Sequence, residues 1–340
     1  MQSHRGVLLV LASLVAQASD APIQVRGFVD GDYAFDGSRP PDRAAFQPGA
    51  GTTAHAANQF ALNLAAIDLL LDPKPAGLRL TLAWGTGVDV LHAAEPFLGP
   101  VVQAYASARI PVGRGLTVDA GIFSSHVGFE SFFSRDNLNY TRSWMAELSP
   151  YYQAGLRASY SFDEHWSAQL HLLNGWQRAS ENNRGKTVGA QIAWAGSGAS
   201  VSFNSLVGPE LPGDDSHFRF FGDLVARLEI LQWLTLAATA DAALEQRPAR
   251  DAHWVAAAAY ARAALSKIVW LAVRIEEFRD PDGAISGIAQ TLREGTATLE
   301  IRPVEALILK LEARHDGSSA PAFHGSTSET LLIGSAVAAF

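Results

Sequence analysis

Few residues of this 340-residue chain have the types and spacing that chemistry requires. Ser124, Ser125 and His126 are adjacent, and His171 follows on a later predicted strand. Nucleophilic catalysis needs such a hydroxyl and imidazole beside an acid or amide on one surface. Neither a nucleophile-elbow motif nor a paired histidine motif frames them. The residues predict no catalytic site, and a hydrolase is kept as an alternative.

The acidic residues do not predict a metal site either. Asp30-Gly31-Asp32 looks like the start of a calcium loop, but both Asp residues lie at alternate positions of a predicted strand. We therefore expect no bound metal and no cofactor.

One segment stands out by its composition. Residues 129–143, FESFFSRDNLNYTRS, combine three Phe and a Tyr with two Arg, a Glu and an Asp, without a helical or strand period. A surface loop rarely needs so many aromatic side chains, and a core rarely holds so many charges. What surrounds this segment depends on the elements that the rest of the chain forms.

Those elements have a period of two. Residues 23–35, IQVRGFVDGDYAF, place apolar side chains at one set of alternate positions and charges such as Asp30 and Asp32 at the other. The pattern returns at 152–162, 217–230 and 306–314. It predicts β-strands with one apolar and one wet face, about twice as long as the usual five or six residues.

The connections between these strands alternate between long and short. The short ones occupy residues 72–77, 111–115, 163–165, 195–199, 231–232, 266–267 and 302–303. The long ones occupy about 37–56, 89–99, 125–150, 174–185, 208–216, 246–252, 279–287 and 315–327. Eight long loops and seven short turns predict sixteen antiparallel strands in one closed sheet. This asymmetry is typical of transmembrane β-barrels.

The chain ends and the composition agree with an exported protein. Residues 1–18 resemble a secretory signal peptide, with Arg5, a short apolar run and Ala16-Gln17-Ala18 as the cleavage site. We therefore expect a single barrel domain over residues 19–340. The chain has no Cys, so no disulfide holds it. Its net charge of −8 argues against nucleic acid as a partner.

Lipid is the expected cover of the apolar faces, because no second sheet or helix is predicted that could bury them. Aromatic residues are expected at both membrane interfaces: Tyr160, Phe162, Trp166 and Trp194 near the short turns, and Tyr33, Phe35, Tyr152 and Phe218 near the long loops. The terminal Phe340 resembles the last residue of strands that the outer-membrane assembly machinery recognises. The expected location is the bacterial outer membrane.

About sixty residues resemble the OmpL-like family of β-barrel porins. The matching positions are Gly128, Glu130, Asn137, Asn139, Tyr140, Arg142, Ser143, Pro150, Gly155, Tyr160, Asn174, Gly175, Trp176, Asn182, Asn183 and Lys186. The family more often has Ser at position 141 and Asp at 177, where this chain has Thr141 and Gln177. The resemblance implies an outer-membrane pore and brings no substrate with it.

We therefore expect a passive diffusion channel for small hydrophilic solutes. A barrel of sixteen strands is wide enough for an aqueous lumen, and residues 125–150 are expected to fold into it and narrow it. Its aromatic residues would pack on the inner wall, while four charged residues face water or wall charges as the constriction: Glu130, Arg135, Asp136 and Arg142. An external cap packed on neighbouring loops is the alternative for this segment.

Alternation predicts which charged residues line the lumen. The candidates for the wall are Arg26, Asp30, Asp32, Arg79, Arg109, Asp119, Arg157, Arg219, Asp223 and Arg227. With the remaining wall positions counted, basic and acidic residues nearly balance, so the totals predict no ion preference. Most of these charges are expected to pair across strands.

Other functions stay open as alternatives. A structural or binding barrel without an open pore would share the same strand pattern, and a soluble β-sandwich would need shorter strands and a second sheet. Porins commonly form trimers, and the small residues at 256–264 and 104–108 could contact a neighbouring copy. The sequence therefore predicts a possible homotrimer.

Overall fold

The computed structural model describes residues 23–45 and 51–340. They form sixteen antiparallel strands that close into one barrel, which confirms the predicted fold and strand number. The strands are β1 Gln24–Asp36, β2 Phe60–Leu71, β3 Ala76–Trp84, β4 Val101–Ile110, β5 Leu116–Ser124, β6 Tyr152–Ser161, β7 Trp166–Leu173, β8 Thr187–Gly196, β9 Ala199–Pro209, β10 Phe218–Leu231, β11 Leu234–Glu245, β12 Ala252–Ala264, β13 Val269–Asp280, β14 Gln290–Val304, β15 Leu307–Ser318 and β16 Ser328–Ala339. The predicted signal peptide lies outside the described residues.

The barrel closes between its first and last strands. Each strand pairs with its neighbours in the sequence, and β1 also pairs with β16, with Asp32 opposite Ser335. The terminal Phe340 continues this ladder, because the Gly27 N–H donates to its carbonyl at 3.2 Å. Closure leaves no open sheet edge, so the strand backbone satisfies its hydrogen bonds internally, as a lipid environment requires.

Alternation along the strands separates a lipid-facing surface from the inner wall. In β12 the exposed and buried positions alternate from Ala252 to Tyr260, with Trp254 facing inward and Val255 outward. Exposed aromatic residues lie at both ends of the outer surface, including Phe162 and Trp166 near the short turns. An outer surface this apolar agrees with a cover of lipid.

Tyr152 corrects the prediction of an aromatic residue at the membrane interface. It is buried, and its hydroxyl donates to Glu95 at 2.7 Å while its ring packs edge-on against His92. The connection between β3 and β4 therefore covers a side chain that alternation alone places in lipid.

Helical structure is confined to the connections. Helix α1 (Thr86–Leu91) lies between β3 and β4, and helix α2 (Trp144–Glu147) lies between β5 and β6. Two 3-10 turns are Pro96–Leu98 and Ser134–Asp136. In the described part of the chain, no helix is long and apolar enough to cross a membrane.

Two glycines oppose each other in β5 and β6, just before and after the long connection. Gly121 and Gly155 are paired and have φ values of 135° and 154°, which L side chains rarely adopt. A Cβ added to Gly155 would lie 2.1 Å from the Leu172 carbonyl oxygen. These positions therefore require glycine.

We predict that Gly155→Ala lowers the stability of the barrel, because it adds both backbone strain and a clash with Leu172 O. The strain alone costs about 1–3 kcal/mol. Urea unfolding in detergent, followed by tryptophan fluorescence, measures the change. Gly295→Ala is the matched control, because no atom lies within 4 Å of a Cβ there. Equal unfolding midpoints for the two variants would contradict the prediction.

Candidate functional site

The connection between β5 and β6, residues 125–151, lies inside the barrel; we call it the inner loop. Tyr140, Arg142 and Trp144 on this loop are fully buried. The loop contacts inward-facing side chains on opposite sides of the wall, from Asp30 on β1 to Asp223 on β10. It therefore crosses the lumen and does not form an external cap.

Wall carboxylates accept hydrogen bonds from the backbone of the inner loop. Five N–H groups donate to three carboxylates: Gly128 to Asp223 (2.8 Å), Tyr140 and Thr141 to Glu312 (2.6 and 3.0 Å), and Trp144 and Met145 to Glu276 (both 2.7 Å). The loop has little regular structure, and a buried N–H without an acceptor costs free energy. The wall carboxylates supply the acceptors that a helix or sheet would otherwise provide.

Wall cations bind the carbonyl groups of the same loop. Lys310 Nζ donates to the carbonyls of three loop residues: Ser134 (3.2 Å), Asn137 (2.7 Å) and Asn139 (3.3 Å). Arg274 donates to the Thr141 carbonyl at 2.6 Å, and Arg314 to the Arg142 carbonyl at 2.5 Å. Each of these three cations is buried, so all three are part of the packing between loop and wall.

Tyr140 fixes the loop against β1. Its hydroxyl oxygen lies 3.2 Å from carboxylate oxygens of both Asp30 and Asp32. Burial raises the pKa of Tyr140 well above its usual value, so the hydroxyl keeps its proton and acts as a donor. Ser134 and Asn63 also donate to Asp30, at 2.5 and 2.8 Å. Asp30 and Asp32, two of the three predicted wall residues on β1, thus hold the loop.

The inner loop fills the barrel at mid-height. There, each strand contributes an inward-facing residue that is buried: Asp30, Asn63, Thr81, Gln103, Phe123, Gln153, His171, Gly189, Asn204, Asp223, Thr239, Ala258, Arg274, Thr296, Glu312 and Ser335. Water therefore reaches little of the wall at this level.

The four predicted constriction charges lie in different surroundings. Glu130 is nearly buried between Arg274, at 2.7 Å, and the Ser143 hydroxyl, at 2.5 Å. Arg135 and Asp136 lie 3.5 Å apart and keep side-chain exposures of 23% and 52%. Of the four predicted constriction residues, only Arg135 and Asp136 present appreciable charge to water.

Arg142 corrects the expectation that it faces water or a wall charge. Its guanidinium donates to the Ser131 carbonyl at 2.7 Å, to the Phe132 carbonyl, and to the Thr52 hydroxyl at 2.6 Å. It also lies over the rings of Phe132 and Tyr151. Arg142 therefore organises the interior of the loop.

The predicted wall residues all lie on inward-facing positions, but they differ in exposure. The four acidic ones are buried: Asp30, Asp32, Asp119 and Asp223. The six basic ones keep contact with water: Arg26, Arg79, Arg109, Arg157, Arg219 and Arg227. Several are paired, with Arg79 2.9 Å from Asp68 and Arg157 2.7 Å from Asp119.

Sequence reasoning missed the cluster around Trp270. Trp270 lies at an inward-facing position of β13, where two guanidinium groups stack on its ring, Arg262 at 5.0 Å and Arg302 at 5.7 Å. Both arginines bind Glu300, at 2.6 and 2.8 Å. The sequence did contain a signal for this cluster: a Trp on an otherwise polar strand face, with Arg on both neighbouring strands near the same short-turn end.

The residues of the alternative hydrolase site do not assemble into a catalytic arrangement. The His126 ring nitrogens contact Gln153 Oε1 at 3.3 Å and the Ser205 carbonyl at 3.2 Å, and its ring stacks on His171. Among the hydrogen bonds of the described residues, neither Ser124 nor Ser125 donates to His126. This geometry lacks the serine–histidine contact that nucleophilic catalysis needs.

Comparison with known proteins agrees with this architecture. A family model described as "Putative beta-barrel porin-2, OmpL-like" matches residues 22–340. No curated protein matches the sequence significantly.

Several solved structures share the fold. The outer membrane channel DcaP of Acinetobacter baumannii has a TM-score of 0.63 at 12% identity, covering 95% of this chain and 99% of that one. The anion-selective porin from Comamonas acidovorans has a TM-score of 0.63 at 11% identity, covering 94% and 99%. The trimer form of OmpT from Vibrio cholerae has a TM-score of 0.60 at 9% identity, covering 94% and 100%.

We predict that Glu312→Gln loosens the inner loop, because an amide offers one acceptor oxygen where the carboxylate accepts from Tyr140, Thr141 and Thr298. Hydrogen bonds to charged groups contribute about 1.5–3 kcal/mol each. Hydrogen exchange at the Tyr140 and Thr141 amides should therefore accelerate by about tenfold or more. Exchange is measured by mass spectrometry of the refolded barrel.

Glu229→Gln is the matched control for this change. Glu229 is an exposed wall carboxylate that pairs with Arg227, so its variant should leave exchange in the inner loop unchanged. Equal exchange at 140 and 141 in wild type and Glu312→Gln would show that the carboxylate does not hold the loop.

Proposed function

The chain belongs to the OmpL-like family of β-barrel porins and resides in the bacterial outer membrane, and from this premise we propose that it is a passive diffusion channel for small hydrophilic solutes. The observation that carries the proposal is a closed barrel whose inner wall is charged and in contact with water over its short-turn half. Outer-membrane barrels have their short turns on the periplasmic side, so this half opens toward the periplasm.

In this proposal the inner loop sets the conductance. It fills the lumen at mid-height, and Arg135 and Asp136 are the loop charges that remain partly exposed. They lie beside a small cavity of about 40 Å³ that Arg26, Asp68 and Arg79 also line. Solutes that pass the loop on this side meet both signs of charge within a short distance, and charged side chains at a constriction set selectivity.

A second candidate is a structural or binding barrel without an open pore. The buried ring at mid-height favours it, since a solute cannot pass where the wall is covered unless the loop moves. The two candidates differ in one measurable quantity, the conductance of the intact protein.

The channel needs no chemical step, and the proposal includes no enzymatic activity. His126, which could serve a hydrolase, contacts Gln153 and the Ser205 carbonyl, and the Ser125 hydroxyl accepts from the Val127 N–H.

We further propose a homotrimer. On the outer surface of β11 and β12, small residues such as Ala240, Ala257 and Ala259 form a shallow apolar groove of about 560 Å³, flanked by Leu224 and Ile275. One neighbour in fold, OmpT of Vibrio cholerae, is described in a trimer form. A flat face of small side chains lets two barrels approach closely in lipid.

We predict that deleting residues 131–139 raises single-channel conductance several-fold, because the deletion removes the part of the inner loop that Lys310 and Asp30 hold in the lumen. Arg274 binds the Glu130 carboxylate and the Thr141 carbonyl, so residues on both sides of the deletion contact the same wall residue. Planar-bilayer recordings of refolded wild type and variant measure the change.

Deleting residues 248–250 is the control, because this exposed stretch joins β11 to β12 outside the barrel. Its conductance should match that of wild type. Current in both the wild type and the 131–139 deletion supports the channel. Current in the 131–139 deletion but not in the wild type would show that the inner loop closes the barrel. Silence from both folded proteins refutes the proposed function.

A further inference from the structure

Charges on the inner wall are segregated by their access to water. Sixteen carboxylates on the described strands face inward, and all but Glu229 are buried: Asp30, Asp32, Asp36, Asp68, Asp119, Asp223, Asp241, Glu245, Glu276, Asp280, Glu294, Glu300, Glu312, Asp316 and Glu329. Of the eleven inward-facing basic residues on these strands, three are buried, namely Arg274, Lys310 and Arg314. The near balance of total charge therefore hides a strong imbalance at the water-facing surface.

The accessible cations concentrate in the short-turn half of the barrel. Seven of the eight lie there and define what we call the vestibule: Arg26, Arg79, Arg109, Arg157, Arg227, Arg262 and Arg302. The eighth, Arg219, lies at the long-loop end, over Trp176 and Trp254.

The imbalance has a simple cause in side-chain length. Asp119 lies against the wall, where the Ser107 hydroxyl donates to it at 2.5 Å, and the longer Arg157 reaches over it from the next strand. Asp68 and Arg79 repeat this arrangement. The carboxylate is covered and the guanidinium remains partly in water, because a long basic side chain extends its charge beyond its own stem.

Glu300 shows that pairing does not cancel the positive charge. This one buried carboxylate binds both Arg262 and Arg302, and the buried Lys310 lies 3.5 Å away. Trp270 supports the two guanidinium groups from beneath. Arg109 adds a further positive charge, since its guanidinium donates to the Arg114 carbonyl and not to a carboxylate.

The uncharged part of the vestibule is lined by hydroxyl groups. Between the arginines, β6, β7 and β9 turn short side chains inward that keep contact with water: Ser159, Ser161, Ser167, Ser200 and Ser202. Such residues leave the lumen wide and offer donors to a passing solute.

We propose that the vestibule concentrates anions and makes the protein selective for small anionic solutes, those that carry a carboxylate or a phosphate. The inference rests on the proposed channel function. Clefts lined by one sign of charge between low-dielectric walls raise the local concentration of the opposite ion. Guanidinium groups also match the geometry of both carboxylate and phosphate oxygens.

The reversal potential in a potassium chloride gradient tests this selectivity. Wild-type protein should pass chloride in preference to potassium, and the double variant Arg26→Gln/Arg109→Gln should lower the permeability ratio by roughly twofold or more. These two arginines are chosen because their hydrogen bonds go to Gln24 and the Arg114 carbonyl, so no buried carboxylate loses a hydrogen-bond partner. The preference should weaken from 0.1 M to 1 M salt, as the screening length falls from about 10 to about 3 Å.

Arg279→Gln is the matched control, because Arg279 is 60% exposed on the outer face and pairs with Glu277. It removes one positive charge outside the lumen, where the double variant removes two inside it, and should leave the reversal potential unchanged. The inference is overturned if the channel prefers potassium, or if its selectivity is unchanged in Arg26→Gln/Arg109→Gln. Either result would leave the proposed channel function intact.

A second measurement applies even if the inner loop blocks current. Quenching of Trp270 by iodide and by neutral acrylamide, isolated by difference with Trp270→Phe, reports anion enrichment in the vestibule without any transport. We expect iodide to quench more than acrylamide does, relative to free tryptophan, and the excess to fall in Arg26→Gln/Arg109→Gln. If the protein carries no current but shows this excess, the channel proposal is refuted and anion binding in the vestibule is supported. Equal quenching by the two agents would refute anion enrichment in the vestibule.

Discussion

The structure depends on satisfying an irregular backbone inside a barrel. Strands solve this problem for themselves by closing into a sheet, but the inner loop has only one short helix and one 3-10 turn within it. Many of its peptide groups are buried, and those that find no partner within the loop need one from the wall. Glu276, Glu312 and Lys310 on the wall provide these partners. The charged wall residues are therefore needed to fold the inner loop, whatever part they play in transport.

This requirement explains why wall charges behave differently in the two halves of the lumen. Where the loop packs, carboxylates such as Glu276 are dry and fully engaged. Where the loop is absent, the carboxylates remain covered by neighbouring strands while arginines such as Arg157 reach water. The same alternation of residues thus yields an anchoring surface at mid-height and a cationic surface below it.

The sequence predicted the barrel well, because its main signals are local. A period of two, the alternation of long and short connections and the composition of residues 129–143 each depend on residues close together in the chain. The details of the site depend on residues far apart. Arg142 binds Thr52 from the first long loop, and Tyr152 binds Glu95 from the second. Such pairs form only in the folded barrel, so neither the strand alternation that placed Tyr152 nor the loop composition that placed Arg142 reveals them.

The choice of basic residue at each wall position follows the same logic. Where carboxylates face a cation across strands, the chain uses Arg, whose planar fork matches two oxygens, as in Arg79 with Asp68. Where three carbonyl groups of the loop converge, it uses Lys310, whose compact ammonium group has three donors. An arginine could not donate to all three carbonyls from a single nitrogen, because its N–H groups are spread over a planar guanidinium. Hydrogen bonds whose donors on the wall match acceptors on the loop therefore set the position of the inner loop. Nonspecific packing alone would not hold the loop in one position.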